Sequence, residues 1–324
     1  MTPASTSSAS NSTVAAYPPF DPEASRSYVV PPEVADIVNL AIHLSRPLLV
    51  EGEAGCGKTS LATAIAEGLG LADDAVVSAT VKSTSQAKDL LYRFDALRRL
   101  QDAQDPQNTT AHHVYPYIHL QPLGKAIASG RPCLMLIDEI DKADLDFPND
   151  LLDVFDRFQF EIEDLPEEES ERCEAEKGFG RQVRAKPDGV PPIVLITSNR
   201  EKPLPEPFLR RCLYLQLTFP SDPALLARIV QRNLSRSAEQ IQDSLIHHAV
   251  REFIAVRERS EECGLQKPPS TSELVDWVRA LHWQQREERD VSASNLRPAD
   301  QAILLKLQRD LETFLRSPVA EEPG

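Results

Sequence analysis

Eight consecutive residues in the first part of the chain have the types and spacing of a phosphate-binding loop. The pattern G-x-x-x-x-G-K-T is formed by Gly52, Glu53, Ala54, Gly55, Cys56, Gly57, Lys58 and Thr59. In such a loop the glycines let backbone N–H groups turn toward phosphate oxygens, the lysine reaches the β- and γ-phosphates, and the threonine hydroxyl ligates magnesium. The apolar run LLVEG precedes the pattern and the helical run TSLATAIAEGL follows it. A phosphate loop requires this context, so we predict a nucleotide site with Mg²⁺.

A pair of carboxylates follows a second strongly apolar run, CLMLI at 133–137. Asp138 comes directly after this run and is suited to hold a magnesium ion beside the phosphate loop. Glu139 comes next, and a second carboxylate at this point can polarise an attacking water, which favours hydrolysis. The alternative is that both acids only stabilise the start of a following helix through its dipole. The phosphate loop upstream favours the catalytic interpretation.

A neutral amide stands at the end of a third apolar run. The run IVLI is followed by Thr197, Ser198 and Asn199. In open α/β sheets ligands bind at the carboxyl ends of the strands, where Asn199 can hold a water or a γ-phosphate oxygen without adding charge. An asparagine after a strand is usually a turn residue. Along the chain, Asn199 follows the phosphate loop and the pair of carboxylates, each at the end of an apolar run, and this order favours a role in the site.

The elements that position these residues have the pattern of an α/β fold. Three apolar runs end in polar or glycine residues and are separated by helical patterns, which is typical of buried parallel strands. These runs and two further strand candidates are PLLVEG at 47–52, DAVVSAT at 74–80, RPCLMLIDE at 131–139, PPIVLITSN at 191–199 and CLYLQLTF at 212–219. We therefore predict a five-stranded sheet.

The chain divides where the strand-like runs stop. After residue 219 only helical periodicity remains, and the turn-forming segment FPSDP marks the boundary. The predicted units are a disordered leader at 1–26, a core at 27–220, a helical domain at 221–318 and a tail at 319–324. The leader is rich in Ser, Thr, Ala and Pro and contains little that can be buried.

Two segments of the predicted core read as insertions. Residues 81–121 predict a helix followed by a polar loop. The apolar residues of that helix are Leu90, Leu91, Phe94 and Leu97. Residues 159–190 contain the acidic run EEESERCEAE, which predicts a solvated loop, with a partner-binding surface as the alternative.

Composition excludes several classes of protein. The chain has 324 residues, of which 41% are hydrophobic and 26% are charged, as in soluble globular proteins. It contains no run close to the roughly 18–20 apolar residues of a membrane span, and we expect no secretory signal. The formal net charge of −15 argues against non-specific nucleic-acid binding as its main role.

The cysteines favour a reducing, cytoplasmic location. Five of them are scattered without a C-x-x-C pair, which fits neither a disulfide framework nor a zinc site. Cys56 lies inside the phosphate loop, where it is either a thiol that makes the protein redox-sensitive or a small filler residue. The filler is the simpler interpretation.

In this order and spacing, the segments GEAGCGKT, LMLIDE, TSN and FLRRC resemble those of the AAA+ ATPases, and the chain is similar to the MoxR branch, in particular its CoxD-like members. The more specific segments are RPLLVEGEAGCGKTSLA, LLYRFDALRRLQ, LMLIDEIDKAD, PPIVLITSNR, RRCLYL and KPPSTSELVDWVRAL. The resemblance covers about residues 27–283. It implies a three-layer αβα P-loop NTPase core with strand order 5-1-4-3-2, a helical lid, and hexameric rings that bind ATP between neighbouring subunits.

The same resemblance assigns roles to the matching residues. Lys58 and Thr59 fall in the Walker A motif, Asp138 and Glu139 in the Walker B motif, and Asn199 at the sensor 1 position. ATP and Mg²⁺ are then the implied ligands.

Two adjacent arginines match the position of an arginine finger. The resemblance favours Arg211, and Arg210 is the alternative one residue away. A guanidinium is always charged and forks around phosphate oxygens, so a finger from a neighbouring subunit stabilises charge on the transferred phosphoryl group. The competing interpretation is that these arginines cap a helix end or pair with surface acids.

The lid departs from the wider family. Many AAA+ proteins carry an arginine, sensor 2, at the start of the third lid helix. Here Ser270 and Glu273 have the spacing of a capping box, and the nearest arginine in that stretch, Arg279, lies about two turns further on.

The MoxR resemblance implies a chaperone-like ATPase that matures or remodels a partner complex, commonly with a protein that bears a von Willebrand factor A domain. The alternative is an ATP-dependent assembly switch or scaffold with low turnover in a multi-gene bacterial regulatory or defence system. The two insertions are the candidate partner contacts.

Overall fold

The computed structural model describes residues 17–26, 28–105, 107–186, 189–235 and 241–316. Its strands are β1 Leu48–Gly52, β2 Val76–Thr80, β3 Tyr92–Phe94, β4 Ile118–Leu120, β5 Leu134–Asp138, β6 Gln159–Glu161, β7 Gln182–Arg184, β8 Ile193–Ser198 and β9 Leu213–Leu217. Its α-helices are α1 Pro32–Leu44, α2 Lys58–Gly68, α3 Lys88–Leu91, α4 Ala96–Asp102, α5 Pro122–Ser129, α6 Asp146–Asp150, α7 Leu152–Arg157, α8 Glu167–Lys177, α9 Glu206–Leu209, α10 Pro223–Leu234, α11 Asp243–Glu262, α12 Thr271–Trp283, α13 Pro298–Leu304 and α14 Gln308–Arg316. Short 3₁₀ helices lie at Pro22–Ala24, Asp73–Ala75, Thr109–His112, Tyr115–Tyr117, Ile140–Lys142 and Glu288–Asp290.

Five strands form one parallel sheet in the order β2-β5-β8-β1-β9. Counted along the chain, this is the predicted order 5-1-4-3-2, and all five strand predictions are confirmed. Both faces are covered, which is why the strands are almost continuously apolar. Leu49 lies in the core on one face, whereas Leu48 and Val50 lie in the core on the other.

The helices after β9 build a core of their own. It is centred on Phe253, Trp277 and Phe314, which are at most 2% exposed, and contains apolar residues from α10 to α14. A helical region therefore follows the parallel sheet, as the change in sequence pattern predicts. The proposed division into a core at 27–220 and a lid at 221–318 stays a prediction. Among the described residues, no helix combines the length and apolar character needed to cross a bilayer.

Residues 17–26 pack against the sheet domain. The Tyr17 hydroxyl donates to the carbonyl of Pro191 at 2.8 Å, and burial raises the Tyr17 pKa to about 12. Phe20 is 4% exposed and lies so close to Gly68 that a β-carbon there would be 2.3 Å from its ring. The prediction of a disordered leader at 1–26 therefore does not hold for 17–26, because these two aromatic rings supply the burial that the rest of the segment lacks. Residues 1–16 and the predicted tail at 319–324 lie outside the described residues.

The first insertion is not one helix followed by a loop. The segment instead forms α3, the strand β3 and α4, and β3 pairs antiparallel with β4. Leu90 and Leu91 are buried, whereas Leu97 is exposed on α4. The single-helix prediction is wrong because pairing with a distant strand overrides the local helical pattern.

The acidic run of the second insertion forms α8 rather than a solvated loop. Three glutamates occupy its first turn, where the helix dipole favours negative charge. Glu169 accepts the backbone N–H groups of Val114 and Tyr115 at 2.7 and 3.0 Å, and Lys177 donates to the carbonyl of Ile118 at 2.8 Å. The fully buried Cys173 faces the core. The two insertions are therefore docked on each other.

Candidate active site

The phosphate loop joins β1 to α2 at the carboxyl edge of the sheet. Gly55 has a φ of 80° and Gly57 a φ of 98°, which favour glycine. Space is also restricted, since a β-carbon at Gly57 would lie 2.5 Å from the ring of Tyr28 and one at Gly55 would lie 2.3 Å from Ser270 Oγ. Conformation and packing both require glycine at these positions.

Lys58 is held inside the loop. It is 7% exposed, and its ammonium donates to the carbonyls of Gly52 and Glu53, each at 2.8 Å. An ammonium has three N–H donors. One therefore remains for a phosphate oxygen at the mouth of the loop.

Thr59 and Asp138 place oxygen atoms side by side next to Lys58. Thr59 Oγ1 lies 3.3 Å from Asp138 Oδ1. Hydroxyl and carboxylate oxygens suit Mg²⁺, which commonly takes one or two protein ligands together with substrate phosphates and water. The donor set at this point fits the magnesium ion that the sequence predicts.

Thr197, at the end of β8, connects the two acidic residues. Its fully buried hydroxyl donates to Asp138 Oδ1 at 2.5 Å and accepts the backbone N–H of Glu139 at 2.9 Å. One side chain thus fixes both the orientation of the Asp138 carboxylate and the backbone that carries Glu139.

Glu139 has left-handed backbone, with φ 61° and ψ 48°. Such a conformation is uncommon for a residue with a β-carbon and clusters at functional sites. Its carboxylate lies between the ammonium of Lys142, at 2.6 Å, and the amide nitrogen of Asn199, at 3.4 Å. The hydrogen bond to Glu139 raises the pKa of Lys142. Glu139 and Asn199 are therefore brought together, as their strand-end positions predict.

Asp141 is a further residue of the site that sequence reasoning does not assign. It is 1% exposed, and its Oδ2 accepts the backbone N–H groups of Asn199 and Glu201 at 3.0 and 2.8 Å. This carboxylate holds the turn after β8 and so positions the Asn199 side chain. The only signal in the sequence is a third acid, two residues after Glu139.

The structure does not bring the two arginines to this site within one chain. Arg210 pairs with Glu206 and is 74% exposed on its side chain. Arg211 donates to Asp156 at 2.9 Å and is 38% exposed. In the described part of the chain, neither residue lines the clefts around Lys58.

The start of α12, in the helical region after β9, contacts the phosphate loop. The predicted capping box is formed. The Ser270 side chain accepts the backbone N–H of Glu273, and the Glu273 carboxylate accepts the backbone N–H of Ser270 at 3.0 Å. The Thr271 hydroxyl donates to the carbonyl of Gly55 at 2.8 Å. Arg279 lies beside Asp276 on its own helix and is not among the lining residues. No arginine takes the sensor 2 place in the described residues of this cleft.

Two clefts adjoin the phosphate loop. One, of about 270 Å³, contains Lys58, Asp138, Glu139 and Asn199. The other, of about 730 Å³, runs between α1, β9 and the helices α10 and α12. They share Gly57, Ser60, Thr271 and Ser272 and so form one continuous groove.

Cys56 lies at the wall of the larger cleft but is buried, at 5% exposure. Burial raises the pKa of its thiol. A raised pKa lowers the thiolate fraction, and the thiolate is the reactive form. The side chain packs in the core beside Gly52, which supports its interpretation as a filler.

The segment that contains the phosphate loop is similar to a known protein family. Residues 42–163, less than half of the chain, match the family model described as an AAA domain. A search of curated proteins found no match.

Two solved structures are similar to this chain at low sequence identity. Domain III of the replication initiation protein DnaA from Thermotoga maritima is 14% identical, with 89% of this chain and 98% of that chain covered and a TM-score of 0.41. A point mutant of RuvB from Thermotoga maritima is 14% identical, with 80% of this chain and 72% of that chain covered and a TM-score of 0.42. Residues 42–163 thus match an AAA domain. They lie in a three-layer αβα P-loop fold, whose five-stranded parallel sheet is followed by a helical region.

Proposed function

We propose that this chain is an ATPase that hydrolyses ATP to ADP and phosphate with Mg²⁺. One observation carries the proposal. Side chains from the ends of β1, β5 and β8, three neighbouring strands, meet at one edge of the sheet beside the phosphate loop. A protein that only binds phosphate does not need a carboxylate and an amide arranged beyond the magnesium ligands.

Each residue has a part in this chemistry. The loop amides and Lys58 would hold the β- and γ-phosphates. Thr59 and Asp138 would hold a Mg²⁺ ion, which would supply positive charge to the phosphate oxygens. Glu139 accepts a proton from the attacking water. Asn199 orients that water or a γ-phosphate oxygen.

Arg211 is proposed to complete the site of a neighbouring subunit, with Arg210 as the alternative. Its partial exposure and its place outside the groove of its own chain support a role in trans. We propose a hexameric ring of the MoxR type that remodels a partner protein or complex, including one that bears a von Willebrand factor A domain. The sequence resemblance is the support for the branch, the ring and the partner.

Mixing two inactive variants tests the shared site. Glu139→Gln and Arg211→Ala should each abolish turnover alone. Arginine fingers contribute about 10³–10⁵ in rate in other nucleotide hydrolases, so residual activity should be small. In a mixture, a subunit with an intact Glu139 can receive the intact Arg211 of a Glu139→Gln neighbour, so activity should return. Arg210→Ala is the matched control and should keep most of the rate.

Failure to complement, with both variants folded and able to bind ATP, would refute the finger in trans. Complementation by Arg210→Ala instead would move the assignment by one residue. Lack of ATPase activity in the wild-type protein at every protein concentration would refute the hydrolytic function itself.

A second candidate is an ATP-dependent assembly switch with low turnover, as in bacterial regulatory or defence systems. The ion pair between Lys142 and Glu139 favours it, because a carboxylate bonded to an ammonium is less available to a water. Slow turnover that does not rise when oligomers form would support this candidate over the remodelling ATPase.

A further inference from the structure

A buried arginine of the lid contacts the phosphate loop. Arg257 lies on α11 and is 6% exposed. Its Nη2 donates to Glu53 Oε2 at 2.5 Å, although 204 residues separate the two. A buried charge is costly unless it is paired and hydrogen-bonded. Arg257 is paired with Glu261 on its own helix, whose carboxylate lies 3.3 Å from Nε. Across the two segments it is paired with Glu53, whose side chain is 60% exposed.

The same guanidinium holds the start of α12. Its Nη1 donates to the carbonyl of Pro269 at 2.7 Å, directly before the Ser270 cap. The group also lies over the ring of Phe219, 3.8 Å from the ring centroid, at the junction between sheet and lid. A planar guanidinium with five donors can serve all these directions at once, which a lysine ammonium cannot do with the same geometry.

Contacts of α12 with the loop depend on this arrangement. Ser270 packs against Gly55 so tightly that a β-carbon would clash, and Thr271 donates to the Gly55 carbonyl. Thr271 and Ser272 line the cleft that contains Lys58. The position of Pro269 thus determines where the wall of the phosphate cleft lies.

We propose that Arg257 is a positioning residue that ties the lid to the phosphate loop through Glu53. It sets the nucleotide cleft in a chain whose described residues place no sensor 2 arginine there. The inference deepens the proposed function and rests on nucleotide binding at this site. Arg257 also compensates the negative charge that Glu53 places beside the binding site of a triphosphate.

The critical test is whether the effect of an Arg257 substitution on nucleotide affinity depends on Glu53. The fluorescent probe is N-methylanthraniloyl-ATP with Mg²⁺, added to the full chain. Arg257→Gln should raise its Kd about tenfold, because the Glu53 carboxylate in the phosphate loop then loses its cationic partner from the lid and the wall of the cleft is released. In a Glu53→Gln background, the same change should raise Kd no more than about twofold. Arg257→Lys keeps the charge and should be intermediate.

Turnover separates positioning from chemistry. At saturating ATP, kcat of Arg257→Gln should stay within about threefold of wild type while KM rises, since the residues around Glu139 are untouched. Arg279→Gln removes another lid arginine, one beside Asp276 on its own helix, and should change neither constant.

Hydrogen exchange without nucleotide gives an independent measurement. Glu53→Gln and Arg257→Gln should speed amide exchange at residues 270–274 severalfold and leave the middle of α11 protected. Because Glu53 is exposed, its variant carries this test even if Arg257→Gln does not fold.

Equal losses of affinity for Arg257→Gln in both backgrounds would refute the proposal, since a residue that only fills the lid acts independently of Glu53. Unchanged exchange at residues 270–274 in Glu53→Gln would also refute it. Failure of the wild-type protein to bind the probe would refute the proposed function instead. The hydrogen-exchange measurement needs no nucleotide, so it would still test the contact between Arg257 and Glu53.

Discussion

Replacing Thr197 by valine removes one hydroxyl and keeps the shape of the side chain. The hydroxyl donates to the Asp138 carboxylate and accepts the backbone N–H of Glu139. Because Thr197 is fully buried, water cannot replace these bonds. Thr197→Val should therefore disturb both proposed Walker B residues without touching either.

The contacts give the size of the effect. A hydrogen bond to a charged group contributes about 1.5–3 kcal/mol and a neutral one about 0.5–1.5 kcal/mol. Asp138 is only partly buried, so the lower end of these ranges applies, about 2 kcal/mol in total. If these hydrogen bonds stabilise the transition state by about 2 kcal/mol more than the bound substrate, their loss lowers kcat about thirtyfold, since 1.36 kcal/mol corresponds to a factor of ten.

Steady-state ATPase rates and thermal unfolding together measure this prediction. Thr197→Ser is the matched control, because it keeps the hydroxyl and loses a buried methyl group. It should lower the free energy of unfolding by about 1 kcal/mol and keep kcat within about threefold. A folded Thr197→Val protein with kcat within twofold of wild type, or equal kcat losses in the two variants, would refute the reasoning.

Three further substitutions test other parts of the structure. Gly55→Ala puts a β-carbon against Ser270 at a φ of 80°, so the Kd for ATP should rise about tenfold or more in a binding titration, and unchanged affinity would contradict the close packing. Lys142→Met frees the Glu139 carboxylate and should raise the basal ATPase rate by at most about fivefold, because such partly exposed ion pairs contribute about 0.2–1 kcal/mol; a tenfold loss would instead mark Lys142 as essential. Asp300→Ala leaves the buried Arg286 without its carboxylate and should lower the free energy of unfolding of the helical region by about 3–5 kcal/mol in a urea titration, whereas a change below about 1 kcal/mol would contradict the buried pair.

The second insertion calls for substitutions rather than a deletion. Removing residues 161–186 would take Ile162, Leu165 and Cys173 out of the core, each of them fully buried. Partner binding is therefore better tested at exposed positions of α8 such as Glu168 and Glu171, which leave the core intact.

Local sequence was sufficient wherever the signal is carried by neighbouring residues. The phosphate loop needs glycines, a lysine and a threonine at fixed spacing, and each buried strand shows itself as a short apolar run with a polar end. The carboxyl ends of parallel strands share one edge of the sheet. Lys58, Asp138, Glu139 and Asn199 each follow a predicted strand, so the sequence places them near one another at that edge.

Tertiary structure alone decided the contacts between segments that are far apart in sequence. Pairing of β3 with β4 replaced a helix, docking of α8 replaced a loop, and two aromatic rings ordered residues 17–26. The tie between Glu53 and Arg257 belongs to the same class. Such contacts leave no periodic pattern in either segment. In the sequence, each of the two contacting residues is an ordinary charged or apolar residue, because only folding brings its partner within hydrogen-bonding or packing distance.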